Sequence, residues 1–310
     1  MASIVLPHFA SLEQALKEQY GKNIKIADSR RIAGGDINDA CGLELSDGTH
    51  LFMKSNAREN EPFFMAEAMG LHAIAQTEVI QTPHLLCSGK DSGRGGFAFL
   101  LMEFIESGRR AADYWEDFAR QLAALHQAPT EELVPGGTYG FIQDNFIGAR
   151  QQVNTPHDHW ISFFRDCRLA PQFADASSYF TEADRKKIGR LLDHLEDVLV
   201  EPKYPSLLHG DLWSGNVMTG SDGKAWLIDP AVYVGHPEAD LAMTELFGGF
   251  APVFYAAYRE AFSMQDGYED RRDLYNLYQL LNHLNLFGSA YLAPVRRIVE
   301  RYAGSMAPSG

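Results

Sequence analysis

Residues 207–217 read Leu207-Leu208-His209-Gly210-Asp211-Leu212-Trp213-Ser214-Gly215-Asn216-Val217. An apolar pair delivers a carboxylate into a tight turn, and a carboxamide follows within the same loop. Shortly after comes Ala225-Trp226-Leu227-Ile228-Asp229-Pro230, a short apolar run that ends in a second carboxylate. A carboxylate so placed, Asp211, can accept the proton of an alcohol. A carboxamide and a carboxylate, Asn216 and Asp229, are hard oxygen donors of the kind that Mg²⁺ takes. A polar β-hairpin in a loop could hold an Asp and an Asn by chance. The apolar runs flanking both ends argue for the chemical reading.

The whole chain sets the frame for that loop. Its 310 residues suffice for one large domain or two lobes with substantial cores. With 45% hydrophobic and 22% charged residues it has the make-up of an ordinary globular protein. The formal charge of −14 and the lack of Lys/Arg clusters argue against a nucleic-acid groove. No apolar run approaches the ~20 residues needed to cross a bilayer. The start, Met1-Ala2-Ser3-Ile4-Val5-Leu6-Pro7-His8, lacks the basic and apolar regions of a secretory signal. Cys41, Cys87 and Cys167 are widely spaced, which fits free thiols in a reducing cytoplasm.

Along the chain, residues 8–20 (Phe9, Leu12, Leu16, Tyr20) follow a helical spacing, with Gly21 as C-cap. From 24 to 54 short alternating runs replace it, and Asp47-Gly48 between two of them predicts a hairpin. Gly34-Gly35-Asp36-Ile37-Asn38 separates the first two runs; glycines there would let backbone N–H groups approach a phosphate, but a plain turn reads equally well. Residues 61–76 form an amphipathic helix with Glu67 at its middle. Strands follow around Leu85–Ser88 and Phe97–Phe104, joined by a Gly-rich turn with no helix start behind it. The remainder is mostly helical: 110–127, a helix beginning near Trp160 with Arg165 and Arg168 on its polar side, 181–199 capped by Thr181, then 251–263, 269–290 and 293–304. Residues 128–156 are a long Gly-, Pro- and Asn-rich connection. His157-Asp158-His159-Trp160 reads as a helix start, since no further ligand cluster accompanies it. Asn282, His283 and Asn285 read as core polar residues or, alternatively, as residues facing a substrate cleft.

The order Asp211, Asn216, Asp229 resembles the catalytic loop and metal-binding aspartate of the kinase-like phosphotransferases. His209-Gly210-Asp211 stands where protein kinases carry His-Arg-Asp. The longer string His209–Asn216, with Asp229-Pro230-Ala231, resembles the fructosamine kinase (ketosamine-3-kinase) family, relatives of the aminoglycoside phosphotransferases. Leu125-His126, Gly140-Phe141, Asp144-Asn145-Phe146-Ile147-Gly148 and Gly235-His236-Pro237-Glu238-Ala239-Asp240 extend the likeness along most of the chain. Some family members carry a cysteine where this chain has Asp36, so thiol control of that loop is not expected here.

The resemblance implies an α+β, protein-kinase-like fold of two lobes with ATP in the cleft between them. Residues 1–105 would form a five-stranded antiparallel sheet with a helix, and 106–310 a mainly α lobe, joined by a hinge at 103–108. It implies that Lys54 holds the ATP phosphates and pairs with Glu67, with Glu61 as the other possible partner. Gly34 and Gly35 would cover the phosphates, and Glu103, Phe104 and Ile105 would bond adenine through their backbone. Asp211 would be the base, and Asn216 and Asp229 the Mg²⁺ ligands. Trp213, Asn145 and Phe146 would face the acceptor, with His209 and Asp240 supporting the loop. The implied reaction is transfer of the γ-phosphoryl group of ATP to the O-3 hydroxyl of a ketosamine, free or on a protein, which promotes deglycation. A phosphotransferase for an aminoglycoside, choline, homoserine or methylthioribose shares the same three residues; Trp213-Ser214-Gly215 favours the ketosamine branch. A non-catalytic pseudokinase is disfavoured because Lys54, Asp211, Asn216 and Asp229 are all retained.

Overall fold

A computed structural model of the chain describes residues 6–32, 38–93 and 95–305. The glycine pair Gly34-Gly35 with Asp36 and Ile37, the start of the chain and its Met306–Gly310 tail lie outside the described residues. The chain divides into two compact units: Met1–Tyr114 with Val217–Pro230, and Trp115–Asn216 with Ala231–Gly310. A single cut at 105/106 differs from this division in two ways: residues 106–114 stay with the N-terminal unit, and the hairpin that carries Asp229 returns to it.

The first unit is built on a sheet of six strands rather than five, in the order β1-β5-β6-β4-β3-β2. These are β1 (His8–Phe9), β2 (Ile26–Arg31), β3 (Asp39–Leu45), β4 (His50–Ala57), β5 (Leu85–Lys90) and β6 (Phe97–Glu103). The extra strand, β1, is two residues that pair in parallel with β5. Two residues are too few to show an alternation, so they read as the start of the helix behind them. That helix, α1 (Leu12–Tyr20), begins at its Ser11 cap, whose hydroxyl accepts from the Gln14 N–H, and ends at Gly21 with φ of 101°. The Asp47-Gly48 turn joins β3 to β4, with Gly48 at φ 87°.

Strand β6 is central, and its unbroken apolar run reflects two cores. Phe99 and Leu101 join Leu12, Leu16, Leu43 and Leu51 on the side of α1. Ala98, Leu100 and Met102 join Phe64, Ala68 and Leu71 of α2 (Glu61–Ala75) on the other side. A strand buried on both faces has no polar positions to alternate with. The returning hairpin, β10 (Val217–Thr219) and β11 (Ala225–Leu227), is tied to this unit where Leu227 N–H donates to Gln81 O at 2.9 Å.

The second unit holds α3 (Tyr114–His126), the hairpin β7 (Asn145–Ile147) and β8 (Arg150–Gln152), α4 (Trp160–Phe163), α5 (Ala170–Asp175), α6 (Glu182–Asp193) and β9 (Ser206–Leu208) paired with β12 (Tyr233–Gly235). Helices α7 (Glu238–Leu246), α8 (Pro252–Ala261), α9 (Tyr268–Phe287) and α10 (Leu292–Ser305) complete it. Thr181 and Asp184 form a reciprocal capping box on α6. His159 precedes α4, but the cap comes from Glu201, whose carboxylate accepts the Trp160 and Ile161 N–H groups at 2.8 and 3.1 Å.

Arg168 corrects the sequence reading. It lies in a π-helical stretch, Phe164–Leu169, and is fully buried rather than on a polar side. The wider turn directs its guanidinium to Val153 O (2.6 Å) and Asn154 Oδ1 (2.7 Å), over the Tyr233 ring.

Burial, aided by the nearby Arg271 charge, pushes the His236 imidazole down to about 3. It is neutral in the folded protein and protonates on unfolding at mildly acidic pH. This contribution to stability is present above the unfolded value of ~6.5 and is lost as pH falls from there toward about 3. In urea titrations between pH 6 and 4, His236→Asn should flatten the pH dependence of unfolding free energy by up to about 1.4 kcal/mol per pH unit. An unchanged slope would mean that His236 is charged when folded.

Candidate active site

Lys54 sits within β4, three residues before its end, between Ala40 of β3 and Leu100 of β6. The strand runs on to Ala57. Glu67 follows Phe64 by one helical turn on α2 and so shares that helix's sheet-facing side. The Lys54 Nζ donates to Glu67 Oε1 at 2.7 Å and to Asp229 Oδ1 at 2.5 Å. Glu61 is not the partner; it binds Lys90 and His8 instead. Burial opposes the Lys54 charge, but Glu67 and Asp229 more than offset it, and the ammonium is held above its ordinary pKa. Glu67 is itself raised by burial and by Asp229, against the pull of Lys54. One cation thus faces two carboxylates, and the group is short of positive charge. Asp229 adopts φ of 54°, a left-handed conformation uncommon outside glycine.

In the second unit the loop after β9 is locked by one carboxylate. Asp240, almost fully buried in the first turn of α7, accepts the His209 N–H at 2.7 Å and the Gly210 N–H at 2.9 Å. His126 Nε2 lies 3.3 Å from the same carboxylate, and its Nδ1 is 2.7 Å from the Tyr258 hydroxyl. Burial, with Asp240 nearby, holds that phenol well above its ordinary pKa, so it remains a donor. The ring is thus held between the Asp240 carboxylate and the Tyr258 hydroxyl.

Gly210 has φ of 83°, and a Cβ there would fall 2.0 Å from Ala231 O. Only glycine fits, which accounts for His-Gly-Asp at this turn. The following carboxylate, Asp211, accepts from Asn216 Nδ2 at 3.0 Å, and the same amide donates to Asp211 O at 2.8 Å. Asn216 thereby holds the aspartate with its nitrogen and keeps Oδ1 for another role.

The other expected residues divide. Trp213 is 36% exposed, and its indole lies over Gly215, where a Cβ would be 2.3 Å from Cη2. The glycine two residues on is what lets the ring lie flat on the loop. Phe146 is partly buried in β7. Asn145 is corrected from an acceptor contact to an internal brace: its Nδ2 donates to Val232 O, and its Oδ1 accepts from Gln152 and Asn154. At Glu103 the N–H already donates to His84 O at 2.9 Å, so a nucleotide would need other backbone groups of the 103–105 segment. Ile105 is buried, and the Phe104 ring lies 3.2 Å from where a Gly42 Cβ would stand. Sequence reasoning passed over Gln279, whose Nε2 donates to Gly210 O at 2.9 Å. Its signal was the polar set Asn276, Gln279 and His283, spaced by helical turns along α9.

Residues 8–304 match the family model described as fructosamine kinase. The chain belongs to the fructosamine kinase family. It is 38% identical to a probable ketoamine kinase of Synechocystis sp., an alignment spanning 94% of this chain and 95% of that protein. It is also 38% identical to the chloroplastic protein-ribulosamine 3-kinase of Oryza sativa subsp. indica, over 91% of this chain and 80% of that one. A Haemophilus somnus crystal structure assigned as a fructosamine-3-kinase superposes with a TM-score of 0.82 at 29% identity, covering 94% of this chain and 96% of that one. The fold is that of the protein-kinase-like phosphotransferases. A member of this family is an enzyme of the phosphotransferase class acting on hydroxyl groups. No described helix is long and apolar enough to cross a membrane.

Breaking the lysine cluster from one side should be costly. Lys54→Met leaves Glu67 buried without its counter-charge and should lower the unfolding free energy by roughly 3 kcal/mol in urea. Lys54→Met combined with Glu67→Leu should regain most of that loss. Independent, additive losses would show that the two side chains do not act as a pair.

Proposed function

We propose that this protein is a ketosamine 3-kinase that moves the γ-phosphoryl group of ATP to the O-3 hydroxyl of a sugar–amine adduct. The observation that carries this reading is the Asp211 carboxylate, held by Asn216 at 3.0 Å on a turn whose amides are committed to Asp240. A loop so braced keeps one carboxylate fixed and acceptor-ready, as a base that must meet an alcohol requires. In the proposed step Asp211 takes the proton of the 3-hydroxyl, and the sugar oxygen bonds to the γ-phosphorus. The bond from that phosphorus to the bridging oxygen breaks, and ADP leaves.

Lys54 would take the α- and β-phosphates. It is charged, buried and shared by two carboxylates, so phosphate oxygens can draw it from Asp229 while Glu67 retains it. The donor set also fits a hard divalent cation: Asn216 keeps its Oδ1, and Asp229 belongs to a group with more carboxylates than cations. Asn216 and Asp229 would hold Mg²⁺, which when bound neutralises charge on the phosphate oxygens. In this reading the first unit serves ATP and the second serves base and acceptor. Along the chain, Asp229 lies just past the end of the hairpin that begins right after Asn216.

The relatives' names, ketoamine kinase and protein-ribulosamine 3-kinase, support a ketosamine acceptor, small or protein-bound, and the 3-hydroxyl as the site of transfer. Three free cysteines support a cytoplasmic setting.

Asp211→Asn should lower transfer to ribuloselysine or fructoselysine by about 10³-fold while changing the ATP dissociation constant by less than about twofold. Chelation of divalent cations should abolish transfer by the wild type, and Mg²⁺ should restore it. Full activity of Asp211→Asn, with the product's phosphate position read by NMR, would reject the assignment.

A further inference from the structure

Phe287 is the most exposed large hydrophobic side chain among the described residues, at 51%, and Trp213 of the catalytic loop is another at 36%. They are the two ends of one row of rings. The Trp213 and Phe247 ring centroids are 6.2 Å apart, Phe247 and His283 4.9 Å, His283 and Phe287 5.4 Å, and His283 and Tyr291 5.1 Å. A left-handed glycine follows two of the rings. Gly248 after Phe247 has φ of 96°, and Gly288 after Phe287 has φ of 89° and closes α9 on Leu284 O. The row is keyed to the reacting loop at two points: Trp213 follows Asp211 by two residues, and Gln279, one turn before His283, donates to Gly210 O.

A continuous row of partly exposed rings beside a catalytic carboxylate is a binding surface in search of an apolar, cationic ligand. None of the five rings has a Lys or Arg stacked on it among the described residues, so their faces are not already occupied by a cation. His283 donates from Nδ1 to Gln279 O at 2.8 Å, and burial lowers its pKa. Its ring is therefore neutral, does not repel a cation, and keeps a lone pair on Nε2 for an ammonium N–H.

We propose that Phe287 and Tyr291 are specificity-determining residues that seat the amine-side substituent of the acceptor, an alkyl- or aryl-ammonium group, against the outer end of this row. The inference rests on the ketosamine reading. A ketosamine joins the sugar to a secondary ammonium that carries a carbon chain or ring, the combination that an uncharged aromatic strip with one neutral imidazole acceptor matches. The strip thus reads what the sugar is attached to, separately from the hydroxyl that reacts.

The experiment compares two synthetic ketosamines, one N-benzyl and one N-methyl, with wild type and with Phe287→Ala/Tyr291→Ala. The wild type should favour the benzyl adduct by about tenfold in kcat/KM, and the double variant should bring the ratio within about twofold of unity. Both substitutions are at accessible positions, and the methyl adduct serves as the internal control for folding and turnover. A wild-type ratio near one, an unchanged ratio in the variant, or an equal loss on both adducts would overturn the proposal. Calorimetric binding of both adducts without nucleotide separates this inference from the one beneath it. Tighter benzyl binding that the double variant erases, with no phosphate transfer to either adduct, would leave the strip standing and remove the kinase reading. Equal binding of the two adducts would remove the strip.

Discussion

A single buried ammonium, that of Lys54, sets the terms for the first unit. Taking a charge out of water costs several kcal/mol unless it is paired and hydrogen-bonded. Here the pairing comes from a helix, through Glu67, and from a hairpin more than 170 residues downstream, through Asp229. Strand, helix and hairpin must therefore be assembled together for the lysine to be tolerated. This accounts for the return of Val217–Pro230 to the N-terminal unit. It also accounts for the left-handed backbone at Asp229, since strain of this kind persists only where surrounding contacts over-determine it. The assembly sets two carboxylates against one cation.

The second unit solves a different problem, that of holding a carboxylate still. Asp240 spends its oxygens on two consecutive amides and a histidine, and the histidine is oriented in turn by the Tyr258 phenol. Gln279 takes the next carbonyl, and Asn216 spans the turn from the far side. In the proposed reaction, with its neighbours so committed, Asp211 would need little reorganisation to receive a proton, and preorganisation of this kind supplies much of the rate advantage in phosphoryl transfer. The polar network is also a liability: its members other than Asp211 are buried, and removing one leaves its partners unsatisfied.

The features that were legible in the chain were those carried by local chemistry. Asp47-Gly48 marked its hairpin because few other pairs accept a left-handed turn, Thr181 marked its helix by capping, and Phe97–Glu103 read as a buried strand from its unbroken apolar run. What escaped depended on distant partners. The strand β1 is held by pairing with β5 and has no pattern of its own. Arg168 looked like a surface charge because a normal helical turn would have left it outside; the π-helical turn and the Tyr233 ring bring it in. Asn145 looked like a ligand contact, since an exposed and a fully bonded asparagine are the same letter.

The sequence by itself determined the family, most of the longer strands and helices, and the residues proposed here as base, metal ligands and phosphate-binding lysine, because these follow from side-chain chemistry at short range. It could not decide which glutamate meets Lys54, why only glycine serves at 210, or that Trp213, His283 and Phe287 stand in one row. Those depend on distances between residues far apart in the chain. Such distances are set by the packing of whole elements and exist only once the chain has folded.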